Sequence, residues 1–180
     1  MHENAILGYR IALPDTYRLA LAVVDGPNNV GHDFYVPRTE QAERDLCARE
    51  QGSDIGSPER VADLIVTVHS NAAGISPMEF ASAPTRRIVF TSIEPATIDG
   101  HEAVRVVQQP TGDTAYYVIR ANDRLYELAP FIYSQPSLGH AGGTFAAPRG
   151  WLDQIAATFK AIPLQASPTT PPSRTRLCGN

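Results

Sequence analysis

Five histidines, two cysteines and a Ser-Pro-x-Glu stretch are the residues of this chain best suited to chemistry. His2, His32, His69, His101 and His140 include no close pair such as the i, i+4 histidines of a zinc helix. Two have a carboxylate next to them, His32 with Asp33 and His101 with Glu102, but neighbouring residues of a strand face opposite ways. All five therefore read as surface or structural histidines, and neither a metal nor another cofactor is expected. A nucleophilic site needs a base and an orienting acid around a serine or cysteine, and the chain contains no G-x-S-x-G elbow. Cys47, with only Arg44 and Arg49 near it to lower its pKa, reads as a structural cysteine in a helix. It pairs with Cys178 only if the compartment is oxidising and the fold brings the two together; unpaired thiols are the preferred reading. The segment GHAGGT at 139–144 has the glycines of a phosphate loop without its lysine, so it reads as a flexible connection.

Ser76, Pro77 and Glu79 have a plainer explanation. Serine at the N-cap, proline at the first helical position and glutamate at N3 make a capping box, which satisfies backbone donors that a helix leaves orphaned. The best binding hint is aromatic. Tyr116, Tyr117 and Tyr126 lie among Arg105, Arg120 and Arg124 in strand-like segments, a composition typical of interface hot spots. The candidate binding face is Tyr116, Tyr117, Arg120, Arg124 and Tyr126, set against the simpler alternative of a sheet whose second face is covered or merely solvated.

The elements that would position these residues are legible in outline. Residues 6–13 alternate as a strand ending at Pro14 and Asp15, and RLALAVV at 18–24 is expected to be its hairpin partner. HDFYV at 32–36 is a possible short strand. Residues 38–50 are rich in helix formers, with Thr39 as N-cap and Ala42, Leu46 and Cys47 on a narrow apolar stripe. VADLIVTVHS at 61–70 resumes period two. RRIVFTSI, HEAVRVVQQ, TAYYVIRA and RLYELAPFIY then form an antiparallel meander, with Asn122-Asp123 as its clearest hairpin turn. WLDQIAATFKAI places Leu152, Ile155, Ala156, Phe159 and Ile162 on one face of a helix that should pack on the sheet.

The bulk numbers set limits. A chain of 180 residues, 43% hydrophobic and 19% charged, suits one soluble α+β domain. That domain spans 1–162, followed by a Pro/Ser/Thr-rich tail at 163–180 too poor in apolar surface to offset its ordering entropy. Net charge is −4, and Arg86-Arg87 is the only adjacent basic pair, so nucleic-acid binding is not expected. No apolar run approaches the length of a transmembrane helix, and the first ten residues lack the pattern of a secretion signal. Either the chain is cytosolic or an export segment precedes it.

The order of motifs resembles the α/β/α sandwich superfamily of PsbP-type photosystem extrinsic proteins, Mog-type Ran-binding proteins and many bacterial lipoproteins. The matching pieces are the opening strand at Tyr9–Pro14, the capped helix at Ser76–Ala81, the I-D-G-x-x-A turn at Ile98–Ala103, the hairpin at Tyr117–Tyr126 and the I-x-x-T-F closing helix at Ile155–Phe159. The resemblance runs over residues 6–162, apart from an insertion between Pro27 and Pro58. It implies a PsbP/Mog-like sandwich, an antiparallel meander packed with helices, and carries no shared catalytic residue. The functional expectation is a non-enzymatic binding or accessory domain of the bacterial cell envelope, with another protein as its partner. The alternatives are a hydrolase using His69 or His101 with a distant acid, and a structural spacer joined by its tail to a surface or another module.

Overall fold

In a computed structural model, the structure describes residues 1–25, 30–50, 62–83, 90–108, 114–130 and 150–165. Strands dominate, at 53% of the structure, and among the described residues the helices are three and short. The strands are β1 (His2–Asn4), β2 (Tyr9–Ile11), β3 (Tyr17–Asp25), β4 (Val30–Pro37), β5 (Leu64–Ser70), β6 (Phe90–Ile98), β7 (His101–Gln108), β8 (Thr114–Ala121), β9 (Arg124–Pro130) and β10 (Lys160–Ala161). The helices are α1 (Glu40–Glu50), α2 (Pro77–Ala81) and α3 (Trp151–Ala156).

Seven strands form one antiparallel sheet in the order β3-β4-β5-β9-β8-β7-β6, and β1-β2-β10 form a small second sheet. This overturns the α/β/α sandwich. The physical reason is visible in the closing segment, where the apolar pattern of 151–162 promises three helical turns. The helix instead stops at Ala156, because Thr158 Oγ1 donates to Ile155 O at 2.7 Å and accepts from Ala12 N–H at 2.8 Å. Lys160 and Ala161 then pair with β2. A strand pairing takes the residues that an extended helix would have used, and tertiary contacts override local periodicity.

The first hairpin also differs from expectation. The segment at 6–13 yields only β2, which pairs with β1 and β10, while β3 pairs with β4. The meander segments are strands β6 to β9, each pairing with the next. The Asn122-Asp123 turn has positive φ at both residues, 51° and 54°, as a two-residue hairpin of this twist requires. Asp99-Gly100, with φ of 52° and 77°, turns β6 into β7 the same way. Ser76 caps α2, accepting from Glu79 N–H at 3.1 Å, with Pro77 at the first position. Thr39 does the same for α1, accepting from Ala42 N–H at 3.2 Å. The glycine loop at 139–144, Phe131, Tyr133 and most of the tail lie outside the described residues.

The large sheet carries core on both faces. One face, with Tyr35, Leu64, Val66, Val68, Tyr117, Ile119, Tyr126 and Leu128, packs under the small sheet and α3 through Leu7, Tyr9, Ile11, Leu152, Ile155 and Phe159. On the other face, α1 covers Phe34 and Val36 with Leu46. Arg18 on β3 holds this helix by donating to both carboxylate oxygens of Glu43, at 2.7 and 2.6 Å. Farther along that face α2 covers Val104, Val106, Tyr116, Val118 and Leu125 with Ala81. Branched and aromatic side chains are thus buried on both faces of the β5-β9-β8 centre, each stabilising the fold by roughly 1.5–3 kcal/mol.

Candidate functional site

Strand alternation decides where the five candidate face residues go. Tyr116 and Arg120 project to the α2 face, whereas Tyr117 and Tyr126 project to the face under the small sheet. All three tyrosines and Arg124 are buried; Arg120 alone is exposed, with 42% of its side chain accessible. Tyr117 is held by α3, donating to Asp153 Oδ1 at 2.7 Å, and burial together with that bond pushes its phenol up to about 12. Tyr126 donates to the backbone oxygen of Leu7 at 3.1 Å and so ties the two sheets together. These are packing roles, and a sequence that alternates aromatics gives no sign of which face is covered.

Arg120 marks an open cleft at the turn end of the large sheet. Its Nη2 lies 2.8 Å from Glu102 Oε2, and its Nη1 donates to Gly74 O at 3.4 Å. Asn71, His101, Asn122 and Asp123 complete the walls, which enclose about 530 Å³. Three turns build it. The 71–75 loop is fixed because Asn71 donates to Ile75 O at 2.9 Å and accepts from Ile75 N–H at 3.0 Å. The other two are the positive-φ hairpins at Asp99-Gly100 and Asn122-Asp123. Asn71 N–H bonds Asp123 O at 3.0 Å, locking two of the turns together. The cleft is thus pre-formed, polar and of mixed charge.

On the same face, between the regions under α1 and α2, lies a polar row. His32, Thr67 and Glu127 stand directly opposite one another on β4, β5 and β9. His32 Nδ1 meets Thr67 Oγ1 at 3.1 Å, and His69 Nε2 meets Glu127 Oε2 at 3.2 Å. The His69 ring packs against Phe80 of α2, with ring centres 4.9 Å apart. A His69 partner 58 positions away in sequence leaves no local signal; only the pairing of β5 with β9 creates it.

Asp33 faces the opposite way from His32, as alternation requires, and is fully buried beneath the small sheet. Asn4 Nδ2 donates to its two oxygens at 3.1 and 2.8 Å, and Tyr9 donates to Oδ2. Tyr35 Oη lies 2.7 Å from Tyr9 Oη and 3.4 Å from Asp33 Oδ2. His2 Nε2 is 3.6 Å from the same carboxylate oxygen. Burial first, then the neighbouring phenol and carboxylate, hold Tyr9 well above the ordinary tyrosine range; burial and Asp33 do the same to Tyr35. One signal for this centre was available: an aspartate in the inward register of VGHDFYV is a buried charge that must find donors.

Among the described residues no helix is long and apolar enough to cross a membrane, and no cluster of three His, Cys, Asp or Glu side chains could hold a metal ion. Cys47 is disulfide-bonded, contrary to the preferred reading of unpaired thiols. No protein-family model matches the chain, and no curated protein matches it.

Proposed function

We propose that this chain is a non-catalytic binding or accessory domain of the bacterial cell envelope, taking a partner protein at the Arg120 cleft. The observation that carries the reading is the cleft itself: about 530 Å³, open, and walled by three turns that hydrogen bonds and positive-φ geometry hold in place. Pre-formed recognition surfaces lose little entropy on binding. Arg120 and Glu102 offer a charged donor and acceptor side by side, suited to polar groups on a partner chain. The disulfide at Cys47 supports an oxidising compartment.

The test is recovery of partners from native envelope extract on immobilised wild-type and Arg120→Ala protein, identified by mass spectrometry. A partner retained by wild type and lost by the variant supports the cleft; identical recovery on both overturns it.

A hydrolase is the second reading, and the His69–Glu127 pair is what favours it, since a carboxylate can orient an imidazole for general-base work. Ester or peptide hydrolysis abolished by His69→Gln would establish it.

A further inference from the structure

We propose that Asp33, Tyr9, Tyr35 and His2 form a binding site for a hard trivalent cation, ferric iron being the ion this donor set fits. The site lies on the opposite face of the large sheet from the Arg120 cleft and does not depend on it. Its four donors come from three strands, β1, β2 and β4, and three of them gather around the fourth, Asp33 Oδ2. Asp33 Oδ2 lies 3.4 Å from Tyr35 Oη and 3.6 Å from His2 Nε2, the two phenol oxygens are 2.7 Å apart, and Tyr9 is in direct contact with the carboxylate. Donors about 2 Å from a small ion and at right angles to one another stand roughly 2.8 Å apart. The observed separations bracket that value, so modest side-chain movement would admit an ion.

Charge selects the ion. A carboxylate and two phenolates carry three negative charges, and in a fully buried site such charges are tolerated only when neutralised. A trivalent cation brings the cluster to zero, whereas a divalent one leaves it anionic. Hard oxygen donors with one imidazole also suit ferric iron by ligand type. Nε2 of His2 is buried with no hydrogen-bond partner among the described residues, and it points at Asp33. Asn4 supplies the outer support that metal ligands commonly have. Its Nδ2 fixes both carboxylate oxygens, and its own Oδ1 is anchored by Leu7 N–H at 3.0 Å. Above the site β1 is an edge strand, three residues long and, among the described residues, paired with β2 alone. Binding involves no electron transfer. The ion forms bonds to the two phenol oxygens, the O–H bonds break, and two protons pass to solvent for each ion bound.

The experiment titrates the full chain with ferric nitrilotriacetate and follows the visible absorption of a phenolate–iron complex, the protons released and the unfolding temperature. The expected result is one ion per chain, a visible band, two protons released per ion once the proton taken up by the freed chelator is counted, and a higher unfolding temperature. Tyr9→Phe and Tyr35→Phe should each weaken the band, and Asp33→Asn should lower affinity at least tenfold. Circular dichroism verifies that each variant is folded, and Arg120→Ala should leave the band unchanged. Wild-type protein that gives neither band nor thermal shift overturns the proposal. So does a band that survives in a folded variant lacking both phenols, which would show an adventitious ion only.

Discussion

A carboxyl group half withdrawn from water registers its surroundings as a change in proton affinity, and Asp63 does so here. Burial pushes it up to about 6 from 3.8, even though Tyr17 donates to it at 3.1 Å, a bond that favours the charged form. The folded protein therefore holds this proton more tightly than the unfolded chain does. Its contribution to stability is fully present below about pH 4 and is lost as pH rises through about 6. Asp63→Asn should accordingly unfold at a higher temperature than wild type at pH 8, with the difference vanishing near pH 4; thermal melts across that range check it. A difference that is constant with pH would contradict the assignment. Individual side chains were legible where their chemistry is local: Ser76 and Thr39 declare their caps within three residues. Asp63 and Asp33 were not, because Tyr17 is 46 positions from the first and Asn4 is 29 from the second. Only tertiary packing brings such partners together.

Elements were legible in proportion to how much of their specification is contained in their own turns. The β8–β9 hairpin could be read from Asn122-Asp123 and the alternating segments on either side, and its geometry predicts the effect of changing it. Asp123, at φ 54°, sits in a region that β-branched residues occupy only under strain. Asp123→Val should lower unfolding free energy by about 1–2 kcal/mol, while Asp123→Gly should be neutral or stabilising. Urea denaturation of the two variants measures this, and equal effects from both would show that backbone conformation is not the cause. By contrast α3 was over-read, since apolar spacing in 151–162 is equally compatible with a helix turn followed by an inward Phe159 and a short strand. The first hairpin was misassigned for a related reason. Pro14 and Asp15 do form a turn, with Tyr17 N–H bonding Pro14 O at 2.9 Å, but a turn states only that the chain reverses and not which sheet it enters next.

At the scale of the whole molecule, two sheets share one core, and α1 is held on the opposite face of the large sheet by packing and by the Arg18–Glu43 pair; its Cys47 is disulfide-bonded. The chain has two cysteines. Protein unfolded without reductant should therefore show no thiol toward a colorimetric disulfide reagent and two after reduction; two before reduction would remove the support for an oxidising compartment. The sandwich expectation failed at this scale because the matched motifs specify strands and turns, leaving open whether the layer above them is helix or sheet. A mechanical consequence follows from the small sheet, which holds β1 and β2 from the beginning of the chain against β10 from near its end. Once the disulfide is reduced, tension applied through residues 1 and 180 would meet a two-residue pairing, Lys160 and Ala161 on β2, before it reached the seven-stranded sheet. The reduced molecule should thus yield in two stages under load, first unzipping β10 and only later, at higher force, tearing the long ladders of β5, β9 and β8.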